Sequence, residues 1–196
     1  MDVKDYMARL ERAGVTIEPG LSAAEVRATE ATYAIRFPPD LRAFLMVGLP
    51  IAHTFIALDG RSREIRFVDW RGGTHEHILD RLGWPLEGMC FDIEHNAFWL
   101  DAWGERPADL VGACERARQA VAAAPRLIPI YGHRYIPATP HERDNPVFSV
   151  YQTDIIYYGR SLTDYLANEF RSVFDRSDFQ YNEPFKPIAF WSDLVR

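Results

Sequence analysis

Three carboxylates and two tryptophans lie close together in the sequence between residues 92 and 103. These side chains could bind a partner or transfer protons. Apolar and polar residues alternate from Cys90 to Asp101 about His95-Asn96, which predicts a β-hairpin with a two-residue turn. In that register Ile93 pairs with Phe98, and Phe91 with Leu100, on an apolar face. The other face of the hairpin, which extends to residue 103, carries a polar and aromatic set: Asp92, Glu94, Trp99, Asp101 and Trp103.

This predicted face has three interpretations. The simplest is a solvated sheet face with one partly covered tryptophan. The second is a partner-binding patch, because aromatic anchors surrounded by charge are typical of protein contacts. In that case Trp99→Ala should weaken partner binding by more than about 1 kcal/mol. The third is a hydrolase, for instance one acting on a carbohydrate, with Asp92, Glu94 or Asp101 as acid and base; it needs one carboxyl in an apolar cleft that raises its pKa.

Other residues with chemical potential give weaker patterns. His75-Glu76-His77 resembles a metal-binding cluster, but helical zinc ligands need a spacing of three or four residues. Cys90 and Cys114 each lie in an apolar run, which predicts buried thiols, and two cysteines are too few for a structural zinc site or a disulfide framework. There is no phosphate-binding glycine loop and no nucleophile elbow. We therefore expect neither a metal nor a cofactor, and no catalytic residues.

A second polar-aromatic set lies further along the chain. Its members are His133, Arg134, Tyr135, Tyr151, Tyr157 and Tyr158. Tyrosines half buried at strand edges are common in protein cores, so packing is the simpler interpretation of this set and ligand binding the alternative.

The composition restricts the choice of partner. The chain has 28 acidic and 22 basic residues and a formal net charge of -6, which disfavours nucleic-acid binding through phosphate contacts. The same charge is compatible with a basic protein partner, and also with solubility alone. The segment Met1 to Asp5 lacks the pattern of a signal peptide, and no run of about 18 apolar residues occurs. We expect a cytoplasmic location and no membrane contact.

The residues that would position these groups predict a mixed fold. Helical periodicity and capping signals predict helices over 2–13, 22–34, 39–48, 74–82, 109–124 and 161–174, the fourth ended by Gly83. The second helix is predicted to begin with a capping box formed by Ser22 and Glu25. Besides the hairpin over 89–103, strands are predicted over 53–58, 64–70, 126–136 and 146–158. This order lacks regular strand–helix alternation. It predicts one α+β domain over residues 1–196, with a mostly antiparallel sheet flanked by helices. No structure is predicted for the last twenty residues.

The segment from Leu21 to Gly48 resembles the signature of the SUKH superfamily, which includes fungal cell-wall-synthesis regulators and many bacterial immunity proteins. That signature has an apolar residue four before a glutamate, then an apolar-Pro step and a short helix that ends in Phe-Leu. The matching residues are Val26, Glu30, Ile35, Phe37, Pro38, Leu41, Phe44 and Leu45. Residues 127–130, 146–148 and 161–170 are similar to the family's last strands and closing helix. The chain departs from the pattern at Ala34, where a glycine is usual, at Leu41, where an aromatic residue is common, and at 46–49, where Asn-Gly-Gly is frequent.

The resemblance implies a SUKH-like fold and a role in binding another protein. In its immunity-type members the partner is a bacterial toxin, and a basic catalytic cleft of the toxin would suit this acidic chain. The fungal relatives suggest an alternative, a regulatory scaffold without a toxin partner. Within the motif, Glu30 is expected to lie on the helix surface or anchor a loop, not to catalyse, and Pro38 to fix the entry to the third helix. Residues 50–105, which include the predicted hairpin, carry no such resemblance.

Overall fold

Helices and antiparallel strands share the chain in the computed structural model, which describes residues 2–174 and 184–195. The helices of this part are α1 (Val3–Arg12), α2 (Ala23–Tyr33), α3 (Pro39–Val47), α4 (His75–His95), α5 (Leu110–Ala123) and α6 (Leu162–Glu169). The strands are β1 (Val15–Pro19), β2 (Gly48–Ile56), β3 (Ser62–Arg66), β4 (Leu127–Tyr131), β5 (Arg134–Pro137), β6 (Val147–Tyr151) and β7 (Asp154–Gly159). Short 3-10 turns occur at Asp101–Trp103 and Ser192–Leu194.

The strands form two antiparallel sheets. The first has the order β1-β2-β3 and the second the order β4-β5-β6-β7. They meet where the chain leaves β3, because Phe67 bridges to Tyr131 at the end of β4 and the Val68 amide donates to the Ile130 carbonyl over 3.2 Å. The fold class is therefore single-domain α+β, as the order of predicted elements indicated.

The predicted capping box at the start of α2 is present. The Glu25 amide donates to Ser22 Oγ over 3.2 Å, and the Ser22 amide donates to the Glu25 carboxylate over 2.7 Å. These two bonds satisfy amides that a helix start otherwise leaves without partners. The helix ends at Tyr33, and its C-cap residue Ala34 adopts a left-handed conformation with φ of 49°. Glycine is the usual residue at such an end, because a Cβ atom disfavours this conformation.

The segment between α2 and α3 is held by one carboxylate. Glu30 accepts a hydrogen bond from the Phe37 amide over 2.9 Å, which is the loop-anchoring contact expected of this residue. Pro38 then precedes α3 as its N-cap residue, and Pro39 begins the helix. Proline suits a helix start because its missing amide would have no intrahelical acceptor there. The apolar residues of the motif are buried in one core cluster: Val26, Ile35, Phe37, Leu41, Phe44 and Leu45.

A second core cluster lies between α4, α5 and the β4–β7 sheet. Trp191 is only 1 % exposed within it, and its indole N–H donates to the Pro125 carbonyl over 2.6 Å. Ile188 and Leu194 are buried in the same cluster. The last residues of the described chain are thus part of the core, although their sequence gave no prediction.

The predicted hairpin over 89–103 is wrong. The helix that begins after Thr74 does not end at Gly83 but continues through Pro85 to His95. The reason is the spacing of inward residues: Ile78, Leu82, Pro85, Met89 and Ile93 recur every three or four positions and pack inward. Apolar and polar residues alternate over a few positions near the helix end, as they would in a strand. The spacing of three and four residues extends over the whole segment, and the segment is helical.

Smaller departures concern element ends. The strand β1 was not predicted, and α6 ends at Glu169 instead of continuing to residue 174. The strand predicted over 64–70 is the shorter β3, and the predicted long strands divide into β4–β5 and β6–β7 hairpins. Within the described residues no helix has the length and apolar character needed to cross a membrane.

Candidate functional site

Asp92 is a buried carboxylate. It lies in the last turn of α4 with only 5 % of its surface exposed. One carboxylate oxygen accepts from both the amide and the hydroxyl of Thr153, over 2.8 and 2.5 Å, and the other accepts from the Asn96 side chain over 2.6 Å. The expectation that Asp92 belongs to an exposed partner-binding face is wrong, because the helix turns this side chain inward toward the β6–β7 turn.

The other four residues predicted for that face do not form one surface either. Glu94 and Asp101 are exposed, while Trp103 is buried. Trp99 is partly buried: its ring meets Trp103 edge to face at 5.1 Å between centroids, and its indole N–H donates to the Gly104 carbonyl over 2.8 Å. A Trp99→Ala change would therefore also disturb the packing of this loop, so it is a poor probe of binding.

One side of α4 instead carries an exposed row of acidic and aromatic residues. Positions 80, 84, 87, 91 and 94 follow one another at spacings of three and four, so their side chains lie along a single stripe of the helix. Trp84 and Phe91 are 39 % and 46 % exposed. We call this row the acidic–aromatic ridge; its members, all exposed, are Asp80, Trp84, Glu87, Phe91 and Glu94.

The end of β6 converts part of this ridge into a cleft. Tyr151 is 56 % exposed, and with Gln152 it closes a space of about 250 Å³. A Cβ atom on Gly88 of α4 would lie 2.8 Å from the Gln152 Cα atom, so only glycine lets the β6–β7 turn approach the helix this closely. The residues that line this aromatic cleft are Trp84, Glu87, Gly88, Phe91, Tyr151 and Gln152.

A second depression of about 530 Å³ shares Gln152 with the aromatic cleft. It is lined by Asp92, the segment 96–100 and the β6–β7 turn to Asp154. Glu94 and Asp101 do not line it. The three carboxylates considered for acid–base catalysis are thus not gathered in one cavity.

One basic group near the aromatic cleft, Arg81, is directed inward. The Arg81 guanidinium packs 5.8 Å from the Trp84 ring centroid and 5.7 Å from that of Tyr135, and it donates to the Gly132 carbonyl. Tyr135 in turn donates to the Arg81 carbonyl over 2.9 Å, and burial raises the pKa of Tyr135 to about 12. Arg81 therefore braces the helix against the β4–β5 turn and does not line the cleft.

His133 lies beside the exposed tyrosine. Its ring meets that of Tyr151 edge to face at 6.2 Å. Burial, and then the neighbouring Arg134 and Arg81, lower the pKa of His133, so the imidazole is neutral at pH 7. The exposed carboxylates on the ridge and on the β6–β7 turn are Asp80, Glu87, Glu94 and Asp154, and the His95 ring lies against that of Phe91 with 4.4 Å between centroids.

Most of the second polar-aromatic set is used in packing, as its simpler interpretation predicted. Tyr135 is fully buried, Tyr157 donates to Ser192 Oγ over 2.6 Å, and Tyr158 lies under the Arg134 guanidinium at 3.7 Å. Only Tyr151 of these four tyrosines contributes to the cleft.

The two cysteines do not form a reactive site. They are free thiols that lie half buried on the adjoining helices α4 and α5. Burial and the Cys114 thiol raise the pKa of Cys90 to about 12, so this thiol stays protonated at neutral pH. In the described segments no group of three or more His, Cys, Asp or Glu side chains could hold a metal ion; the His75 ring instead stacks on Tyr33 at 5.3 Å.

Sequence reasoning missed Trp84 and Phe91 as surface residues. Phe91 was placed on the apolar face of the predicted hairpin, and Trp84 lay beyond the predicted helix end. Their separation of seven residues, two helical turns, is the signal that could have found them. No family model matches the chain, and no match is found among curated proteins or solved structures.

Proposed function

We propose that the chain is a protein-binding domain of the immunity type, which neutralises a bacterial toxin in the cytoplasm by covering a basic surface of it. In this proposal it is not an enzyme and needs no cofactor, nucleic acid or membrane. The contact is made by the acidic–aromatic ridge of α4 together with Tyr151. The observation that carries the proposal is the exposure of three aromatic rings, Trp84, Phe91 and Tyr151, around one cleft.

Exposed aromatic rings in one place favour a protein contact. Tryptophan and tyrosine are enriched among the residues that contribute most to binding energy, and such residues cluster at the centre of an interface. Here the polypeptide covers the inner side of α4 but leaves Trp84 and Phe91 about two-fifths exposed or more. A partner that covers these rings would remove their apolar surface from water.

The charge around the rings favours a basic partner. The ridge contributes three carboxylates and the β6–β7 turn contributes Asp154, against the Arg81 guanidinium beside Trp84 and the His95 ring beside Phe91. Opposite charge speeds the encounter of two proteins and selects among partners. The formal net charge of -6 acts in the same direction at longer range.

The immunity role itself rests on the resemblance of residues 21–48 to the SUKH superfamily. The buried motif residues and the contact between Glu30 and the Phe37 amide are compatible with this assignment. A regulatory scaffold without a toxin partner could use the same surface, and it differs only in what is bound. A carbohydrate hydrolase is less favoured because the Asp92 carboxylate is already occupied by Thr153 and Asn96.

The proposal is tested by cross-linking in the native host. Tyr151 is replaced by the photo-reactive residue p-benzoylphenylalanine, and cross-linked proteins are identified by mass spectrometry. The matched control carries the same residue in place of Leu58, which is fully exposed in the β2–β3 turn and belongs to the other sheet. We expect one basic protein to cross-link through position 151 and not through position 58.

The identity of the cross-linked protein separates the alternatives. A protein that stops growth when expressed alone, and whose toxicity is relieved by co-expression with this chain, supports the immunity role. A non-toxic partner supports the regulatory scaffold. Cross-linking through position 58 alone, or hydrolysis of a carbohydrate that persists in a Tyr151→Ala variant, would contradict the proposed binding role of the ridge.

A further inference from the structure

The aromatic cleft has the dimensions and lining of a site for one cationic side chain. Its volume of about 250 Å³ lies below the roughly 300–1,000 Å³ of pockets that hold drug-sized ligands. Three of its six lining residues are aromatic, and one, Glu87, is a carboxylate. Aromatic walls with an acidic group at the side are the usual composition of sites for organic cations, because the ring faces are negative.

We propose that this cleft binds an arginine side chain of the basic partner, with the guanidinium held between the Trp84, Phe91 and Tyr151 rings and paired with Glu87. The inference rests on the proposed function, since it names the group that the partner inserts. A guanidinium fits better than an ammonium because it is planar, more weakly hydrated and able to stack on a ring while it pairs with a carboxylate.

The same chain already uses this kind of contact internally. The Arg134 guanidinium lies 3.7 Å from the Tyr158 ring centroid while its Nε atom donates to Glu169 over 3.0 Å. That arrangement combines an aromatic face with a carboxylate around one guanidinium. The aromatic cleft presents the same two components, with the ring faces and the carboxylate supplied by the ridge and by Tyr151.

The cleft is also preformed. Gly88 permits close contact between α4 and Gln152, and the Asp92 carboxylate fixes the β6–β7 turn through Thr153. The Arg81 guanidinium lies 5.8 Å from the Trp84 ring centroid and 5.7 Å from that of Tyr135, and Arg81 is not one of the residues that line the cleft. A preformed site loses little conformational entropy on binding, which suits recognition of a single side chain.

The test uses the whole protein and small probes. N-acetyl-arginine amide is titrated into the isotopically labelled chain, and the indole N–H resonance of Trp84, assigned with a Trp84→Phe variant, is followed by NMR. We expect a saturable shift with a dissociation constant on the order of millimolar, as suits one cation–π site. The neutral isostere N-acetyl-citrulline amide should bind at least about tenfold more weakly than the arginine probe. N-acetyl-lysine amide should also bind more weakly than the arginine probe.

Matched variants identify the carboxylate. Glu87→Gln removes the proposed ion pair and should weaken arginine binding several-fold. Glu76→Gln removes the same charge from the same helix, roughly 16 Å away along its axis, and should leave binding unchanged. Equal binding of the citrulline or lysine probe, equal effects of the two variants, or no saturable shift at Trp84 would each overturn the arginine site.

The outcomes remain separable from those of the proposed function. If the partner cross-links at position 151 but the arginine probe gives no shift at Trp84, the proposed binding surface is supported and the arginine site is contradicted. If the probe binds but the partner cross-links only through position 58, the arginine site stands and the proposed function falls.

Discussion

The Asp92 carboxylate accepts hydrogen bonds from both the backbone amide and the side-chain hydroxyl of Thr153, which lies 61 positions further along the chain. This pair of hydrogen bonds attaches the β6–β7 turn to the last turn of α4. Thr153 is itself only 7 % exposed, so both partners are buried. A residue whose type suggested catalysis or partner binding is therefore a structural anchor, and it positions Tyr151 and Gln152 at the cleft.

Asp92→Ala should destabilise the protein by about 2–4 kcal/mol, because the buried Thr153 amide and hydroxyl would lose a charged acceptor. The free energy of unfolding measured in urea checks this. The control is Glu94→Ala, an exposed acid two positions along, which should change stability by no more than about 0.5 kcal/mol. Equal effects of the two variants would show that the Asp92 contacts do not stabilise the fold.

Gly88→Ala should cost about 1–3 kcal/mol, because its Cβ atom would lie 2.8 Å from the Gln152 Cα atom and push the β6–β7 turn away. Gly83→Ala lies in the same helix, but its Cβ atom would meet only the movable end of the Glu87 side chain at 3.0 Å. That change should raise stability by roughly 0.5–1 kcal/mol, since alanine favours helix. The Tm values of both variants are compared by thermal unfolding. A stabilising effect of Gly88→Ala would contradict the close approach of Gln152 to Gly88.

Ala34→Gly should raise the free energy of unfolding by about 0.5–1 kcal/mol, because glycine adopts the left-handed conformation without the cost of a Cβ atom. The matched control is Ala28→Gly in the exposed interior of α2, which should lower stability by a similar amount, about 0.5–1 kcal/mol. The free energy of unfolding of each variant is measured by urea denaturation. A loss of stability in both variants would show that Ala34 is not strained.

The ion pair of Glu25 with Arg71 should make the stability of the protein depend on pH. Its hydrogen bond from Arg71, followed by those from Ser22, lowers the pKa of Glu25 to about 2. A carboxyl with a lowered pKa stabilises the fold above its unfolded pKa, and the contribution disappears as the pH falls to the folded value. The difference in Tm between the native chain and Glu25→Gln should thus be constant above about pH 5 and shrink towards pH 2. A difference independent of pH would show that the ion pair with Arg71 contributes nothing.

The sequence was most informative where local signals were complete. The capping box of Ser22 and Glu25, the proline entry to α3 and the α+β class could all be predicted, because each depends on neighbouring residues or on the order of elements. The long helix α4 could not, because Gly83 and Pro85 are normally helix breakers and the segment from residue 90 alternates like a strand. Packing of the inward stripe against the second core overrode both signals.

Most of the candidate site could not be predicted from the sequence, because the helix α4 was not predicted beyond residue 82. Placing Asp92 and Glu94 on a strand gives them one face, whereas a helix separates them by about 200°, one inward and one outward. The cleft joins α4 to Tyr151 across 60 positions, and nothing local in the sequence predicts that contact. Of the five residues predicted for one acidic and aromatic sheet face, only Glu94 lies on the acidic–aromatic ridge, which belongs to a helix.

The central claim is that the acidic–aromatic ridge binds a basic protein, and the most direct measurement is the affinity of the cross-linked partner for a Phe91→Ala variant by calorimetry. Phe91 is 46 % exposed, so its removal should leave the free energy of unfolding nearly unchanged. We predict that binding weakens by about 2 kcal/mol or more, roughly thirtyfold, while Leu58→Ala binds like the native chain. Native affinity in the Phe91→Ala variant would contradict the account.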